Sequence, residues 1–290
     1  MRPDLFAAFL SREARPLALI LGTNEIASAT AVLLAWEGYS VILSHDPFPP
    51  VIRRGMSFHD ALFDDRAEVD GIAGLRAETS MEIAERLSED GCVAVTPLQL
   101  TDLLPLRTPA ALIDARMQKR RVTPDLRGLG RVAVGLGPNF AVGVNCDIAV
   151  ETHPAHTGEL VEIGATDGPD GVPRALGGAG GERFVYSRRD GIWRTAVDVG
   201  MQVFRGFPLG RHGGAQILAP IDGSLRGIAR DGAFAPAGVK LIEIDPRGRS
   251  AAWTGSDQRG RAIAEAAAKA IRTCARLRKA MATASPTRQE

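Results

Sequence analysis

The feature that most constrains this chain is its opening strand and helix pattern, LALILGTNEIASATAVLLAWEGYSVIL, which runs from Leu17 to Leu43. Leu17–Leu21 is continuously apolar, without the alternation of a half-exposed strand, and so predicts a parallel strand buried on both faces. Ile26, Ala29, Ala31, Val32, Leu33 and Trp36 then supply the apolar face of a helix, and Gly38 is a left-handed stop for it. Tyr39–Leu43 follows as a second strand. A strand, a helix and a strand in this order form a βαβ unit and predict a parallel or mixed sheet.

The alternation continues with a helix over Ser80–Ser88 and a strand over Cys92–Val95. A proline-interrupted connection leads to strands at Ala111–Ile113 and Val132–Val134. From about Asp147 the helical periodicity gives way to short strands punctuated by Gly and Pro. Two segments there echo each other, DGIWRTAVDVGMQVFRGFPLG and DGSLRGIARDGAFAPAGVKLIEID, in the manner of a duplicated β hammerhead. The expected fold is therefore α/β: a Rossmann-like N-terminal domain over 1–146 and a glycine-rich β connection over 147–189. An all-β biotinyl/lipoyl-like (hammerhead) module over 190–247 follows, then a terminal helix with a frayed tail over 248–290. The hairpin between the two halves reads Arg211-His212-Gly213-Gly214-Ala215, so covalent biotin or lipoate is not expected.

Length and charge narrow the function classes. The 290 residues exceed the roughly 100–200 of one domain. Thirty-five basic against 34 acidic residues leave no bulk field to recruit nucleic acid or an anionic membrane, so neither is an expected partner. Three cysteines without CxxC spacing fit a reducing compartment. Asp4, Arg12, Glu13 and Arg15 interrupt the apolar N-terminus, and no apolar run reaches the roughly 20 residues of a membrane span. A cytoplasmic location is the expectation.

Four stretches carry candidate chemistry. Gly22-Thr23-Asn24-Glu25-Ile26-Ala27 stands between strand and helix, where a dinucleotide fingerprint belongs, with Asn24 in place of its middle glycine and Asp46 as the acidic residue some twenty positions on. It reads either as a degenerate nucleotide site, which would take NAD(P), or as a turn that serves only the fold. Arg53 and Arg54, and the run Asp114, Arg116, Lys119, Arg120 and Arg121, follow the carboxyl ends of strands and are candidates to clamp phosphates. Gly135, Gly137, Phe140 and Gly143 form a glycine-rich loop able to present backbone N–H groups to an anion, and Cys146 beside it is a candidate sulfur carrier. Arg183 follows the glycine cluster Leu176–Glu182, which reads as a flexible loop closing on an anionic ligand or simply as a loop; Pro154 between His153 and His156 argues against a helical metal pair, so no metal is expected, and His156 stays a candidate ligand contact.

Taken together, LGTNEIASATAVLLAWEGYSVIL, PPVIRRGMSFHDALFD, LIDARMQKR, VGLGPNFAVGVNCDIAVETHPAHTGELVEIG and APIDGSLRGIARDG resemble the YqeB family of selenium-dependent molybdenum hydroxylase system proteins, related to the XdhC/CoxI accessory group. The resemblance spans roughly Pro16–Pro246. It implies an accessory or maturation role for a molybdenum hydroxylase of the xanthine dehydrogenase type, with the apoenzyme as partner. It also implies a molybdopterin-type cofactor, in dinucleotide form or not, handled or sulfurated at the residues just named. The competing readings are an NAD(P)-dependent oxidoreductase and a non-catalytic docking adaptor, either of them able to form a homo-oligomer.

Overall fold

The computed structural model describes residues 3–11, 14–119, 121–169 and 171–284. Helix α1 (Pro3–Leu10) precedes strand β1 (Leu17–Leu21), all five residues of which are buried, as continuous apolarity requires. Helix α2 (Glu25–Trp36) and strand β2 (Ser40–Ser44) complete the βαβ unit, with β2 parallel to β1. Trp36, expected on the apolar face of α2, is 63% exposed. The chain continues through α3 (Ala61–Asp64), β3 (Arg66–Val69), β4 (Ile72–Arg76), α4 (Ser80–Leu87), β5 (Cys92–Thr96) and α5 (Leu100–Leu103). Strands β6 (Ala111–Asp114), β7 (Ala133–Leu136), β8 (Ile148–Val150) and β9 (Leu160–Val161) follow.

These nine strands form one sheet in the order β3-β4-β5-β2-β1-β6-β7-β8-β9. Its interior pairs are parallel, whereas β3 runs antiparallel to β4 and β9 antiparallel to β8, so the sheet is mixed with a reversed strand at each edge. The strand order reverses at β1, which has β2 on one side and β6 on the other. One face of the sheet is covered by α1, α4 and α5 through Phe9, Ile83, Leu87 and Leu103. The other is covered by α2 and by the C-terminal helix α6 (Gln258–Ala284). Ala266, Ala267 and Ala270 of α6 and Ala27 and Ala31 of α2 are buried, and such short side chains let helices and sheet approach closely. Ile263 and Ile271, buried in the same layer, contribute about 1.5–3 kcal/mol each relative to exposure.

The remaining strands are β10 (Phe184–Tyr186), β11 (Gly191–Arg194), β12 (Gln202–Val203), β13 (Pro208–His212), β14 (Ala215–Leu218), β15 (Gly223–Ile228), β16 (Phe234–Ala235) and β17 (Lys240–Asp245). They make two four-stranded antiparallel sheets, ordered β10-β17-β15-β12 and β14-β13-β11-β16. Their core is built on Trp193, Leu209, Leu225, Ile228, Leu241 and Ile244, and the Trp193 indole donates to the Ala229 carbonyl at 3.0 Å. Gly210 lies against the Trp193 ring and the Arg194 carbonyl, where a Cβ has no room.

The expected division into a Rossmann-like domain and a separate biotinyl/lipoyl-like module is corrected by these pairings. Strands β8 and β9, from the stretch read as a connection, finish the large sheet, and β10 from the same stretch edges a four-stranded one. The segment after β2 is shared too: the Ile228 N–H donates to the Ile52 carbonyl at 2.8 Å, and Arg54 Nε donates to the Ile228 carbonyl at 3.0 Å. Helix α6, read as a terminal appendage, is a cover of the sheet. Among the described residues no helix is long and apolar enough to cross a membrane.

Candidate functional site

The carboxyl ends of β1, β2 and β6 meet where the strand order reverses, the place at which open parallel sheets hold ligands. Gly22, at φ +109, turns the chain out of β1; a Cβ there would lie 3.1 Å from the Ala115 carbonyl oxygen. Asn24 caps α2. Its Oδ1 accepts from the Ile26 and Ala27 N–H groups at 3.0 and 3.1 Å, and its Nδ2 donates to the Ala115 carbonyl at 2.7 Å. Two donors that a phosphate would use at a helix N-terminus are therefore already bonded by a side chain. Of the two readings left open by the sequence, the structure favours the fold-serving turn.

Beside the turn lies a polar cluster. The Thr23 hydroxyl is 3.0 Å from His59 Nδ1 and 3.4 Å from His45 Nδ1. Burial lowers the pKa of both imidazoles, that of His59 to about 3, with repulsion from His45, Arg54 and Arg230 adding to the effect. Both rings are thus neutral at physiological pH. Asp46, ending β2, accepts from the Phe48 N–H at 2.8 Å and from Gln118 Nε2 at 2.7 Å. Asp114, ending β6, accepts from Arg116 Nε at 3.0 Å and Nη2 at 2.6 Å, while Arg116 Nη1 lies 3.8 Å from Asp46. His45, Asp46, Gln99, Arg116 and Pro124 line a cleft of about 60 Å³. By the room a single water needs, that is space for a few non-hydrogen atoms and not for a whole dinucleotide.

The other expected ligand residues are committed elsewhere. Arg53 donates to both oxygens of Glu243, at 2.7 and 3.2 Å, and to Glu25 at 3.0 Å. Arg54 is buried against Asp60 and Asp198. Arg183 is buried against Glu243. Lys119 is exposed, and Arg120 lies outside the described residues. Gly135 makes room for the Phe140 ring, which is core and no ligand platform. A Cβ at Gly137, whose φ is +105, would lie 3.0 Å from Met117 Sδ, and Gly143 is a turn glycine at φ +78. His156 Nδ1 pairs with Glu159 at 3.3 Å. Cys146 is fully buried with Phe140 and Ala149, and its thiol is pushed up to about 12 by burial and by Asp147. A thiol that stays protonated and has no solvent access is a poor sulfur carrier.

Thr23, His59 and Gln118 were not singled out by sequence reasoning. His59 sits inside the basic phrase PPVIRRGMSFHDALFD, and only folding brings it to the turn. Among the described residues no group of three or more His, Cys, Asp or Glu is placed to hold a metal ion.

No protein-family model matches the chain. Over 248 residues it is 32% identical to the uncharacterized protein YqeB of Escherichia coli (strain K12). The chain is a relative of YqeB. The match covers 85% of this chain and 46% of YqeB, so the chain spans about half the length of that curated relative. Among solved structures it is similar to the product-bound ectoine utilization protein EutE (DoeB) of Ruegeria pomeroyi, at 12% identity and a TM-score of 0.26, over 80% of this chain and 86% of that one. It is also similar to a succinylglutamate desuccinylase/aspartoacylase from Rhodobacter sphaeroides, at 14% identity and a TM-score of 0.24, over the same shares. An aspartoacylase family protein from Mesorhizobium loti gives 14% and 0.26, over 81% and 87%.

The expected fold class is corrected by the strand pairings, since the stretch between residues 147 and 189 supplies strands to both the nine-stranded sheet and a four-stranded one, and the expected maturation role is corrected as well. The physical reason for the second correction lies in the residues: the arginines expected to clamp a phosphorylated pterin are ion-paired with carboxylates inside the fold, and the cysteine expected to carry sulfur is sealed in a core.

Proposed function

We propose that this chain binds a small hydroxylated molecule at the carboxyl edge of its large sheet, with His45 as acceptor of a hydrogen bond or proton from it. The observation that carries this reading is the Thr23 hydroxyl held between two neutral imidazoles beside Asp46. One hydroxyl proton serves one imidazole nitrogen only. If Thr23 donates to His59 Nδ1, the nearer of the two, the Thr23 oxygen accepts from a protonated His45 Nδ1. That tautomer leaves the lone pair of His45 Nε2 free to accept. Asp46 offers carboxylate oxygens for a hydroxyl, and Arg116 Nη1 offers a donor. The cleft has room for a hydroxylated edge of the ligand, with the rest of it in solvent.

Nuclear magnetic resonance of the histidine rings tests the reading, with adenosine, NAD(P) and a molybdopterin-type pterin phosphate as probes. Adenosine carries a vicinal diol without a pyrophosphate and is expected to shift the His45 ring. Asp46→Asn is expected to weaken binding at least roughly ten-fold, the effect of about 1.4 kcal/mol. Unchanged His45 signals under all three probes would remove the proposal. Equal binding by wild type and Asp46→Asn would place any ligand elsewhere.

A further inference from the structure

Away from that cleft, between the large sheet and the two smaller ones, cations outnumber carboxylates in a place with little water. Glu243 on β17 is fully buried, and Arg53, Arg183 and Arg226 all lie within ion-pair distance of it. Arg53 also meets Glu25 and Asp257, and Arg226 donates to Asp257 at 2.8 Å. Arg259 is mostly buried, donates to the Thr152 carbonyl at 3.2 Å, and feels Glu25 and Asp257 together with repulsion from Arg53. Lys240 stands with its ammonium 3.8 Å from the centroid of the Phe184 ring, which the Arg183 guanidinium also approaches, at 4.0 Å. Five cations, Arg53, Arg183, Arg226, Arg259 and Lys240, thus face Glu25, Glu243 and Asp257, while the buried Asp245, which Arg226 also feels, is paired with Arg247 at 2.6 Å.

Two positive charges among the described residues are left over where burial makes charge costly. Arg183 is 4% exposed, and its Nε has no hydrogen-bond partner. The Lys240 ammonium has the Phe184 and Tyr186 rings beside it and no carboxylate within ion-pair reach among the described residues. An aromatic face stabilises a cation only weakly and does not replace the hydration that a half-buried ammonium gives up.

We propose that Lys240 and the Arg183 Nε, with Lys119 at the rim, form a site for a small dianionic group, a phosphate or a dicarboxylate. Burial lowers the pKa of Lys240 to about 8, and the repulsion of Arg53, Lys119 and Arg183 adds to it against the attraction of Glu243. An anion seated there restores the missing negative charge and returns the ammonium toward its ordinary range. This site is separate from the His45 cleft: it draws on β10 and β17, and its failure leaves the Thr23 cluster untouched.

Amine-selective acylation of the intact protein at pH 7.5, read by peptide mass spectrometry, tests the site, with exposed Lys269 as the internal reference. In chloride, Lys240 is expected to react faster than Lys269. Inorganic phosphate at matched ionic strength should slow Lys240 roughly ten-fold, the consequence of a pKa rise of one unit, and leave Lys269 unchanged. Succinate in place of phosphate separates the two ligand classes: protection by either one supports a dianion site and names its chemistry. Thermal melting gives a second readout that does not need reagent access. Phosphate or succinate should raise the midpoint of the wild type and raise that of Lys240→Met less. Equal labelling ratios with and without both anions, or equal midpoint shifts in wild type and Lys240→Met, would overturn the proposal.

Discussion

Replacing Glu243 by glutamine removes one negative charge from the centre of three arginines while keeping the side-chain volume. The carboxylate is fully buried, and Arg53, Arg183 and Arg226 hold its pKa at about 2 against a desolvation that works the other way. Relative to an ordinary 4.5, a depression of that size corresponds to about 3 kcal/mol. Breaking a buried pair by removing one partner costs about 3–5 kcal/mol. The two figures agree in scale, so Glu243→Gln is expected to lose about 3–5 kcal/mol at pH 7. The pH dependence has a definite sign. A carboxylate with a depressed folded pKa contributes fully above about 4.5, and that contribution fades as the pH falls toward 2. Urea unfolding followed by the fluorescence of Trp193, buried in the same β region, should therefore show a large gap between wild type and variant at pH 7 that narrows between pH 4.5 and 2.5. A gap under about 1 kcal/mol at pH 7, or one that does not change across that window, would refute the assignment of Glu243 as the electrostatic anchor between the sheets.

Three other outcomes follow from the same reasoning. His59, neutral in the fold with a pKa of about 3, contributes stability that is present above pH 6.5 and lost as the pH falls toward 3; His59→Asn should flatten that acid limb in a pH series of thermal melts. Cys146 should alkylate with iodoacetamide at pH 8 at least roughly ten-fold more slowly than the partly exposed Cys92, read by mass spectrometry, and comparable rates would reopen a role for its sulfur. Asn24→Ala should cost about 1–2 kcal/mol in chemical denaturation, because it removes both the cap of α2 and the bond to Ala115, whereas Asn24→Asp should keep the cap and lose only the latter.

The local elements were legible because their causes are local. Leu17–Leu21 is apolar throughout and is buried throughout; Gly38 and Asn24 stand at the ends of α2 as stop and cap. The helices at 80–87 and 258–284 fall where periodicity places them. Site residues were read less well. Arginines at strand ends have the right chemistry for phosphate, but Glu243 lies 190 residues from Arg53, and no spacing rule pairs them. Cys146 looked reactive beside glycines, yet one of those glycines, Gly135, is there to admit the Phe140 ring that seals it.

The sequence by itself determined the alternation of strand and helix, the turn after β1, the near-neutral charge and the shift to short strands after about residue 147, since each depends on composition or on neighbours a few residues apart. Tertiary structure alone decided that α6 and strands β8 and β9 belong to the large sheet. It also decided that Thr23, His45 and His59 share one hydroxyl, and that Lys240 and Arg183 share one aromatic ring among uncompensated charges. Those outcomes depend on desolvation and on partners far along the chain, and neither exists until the layers have packed.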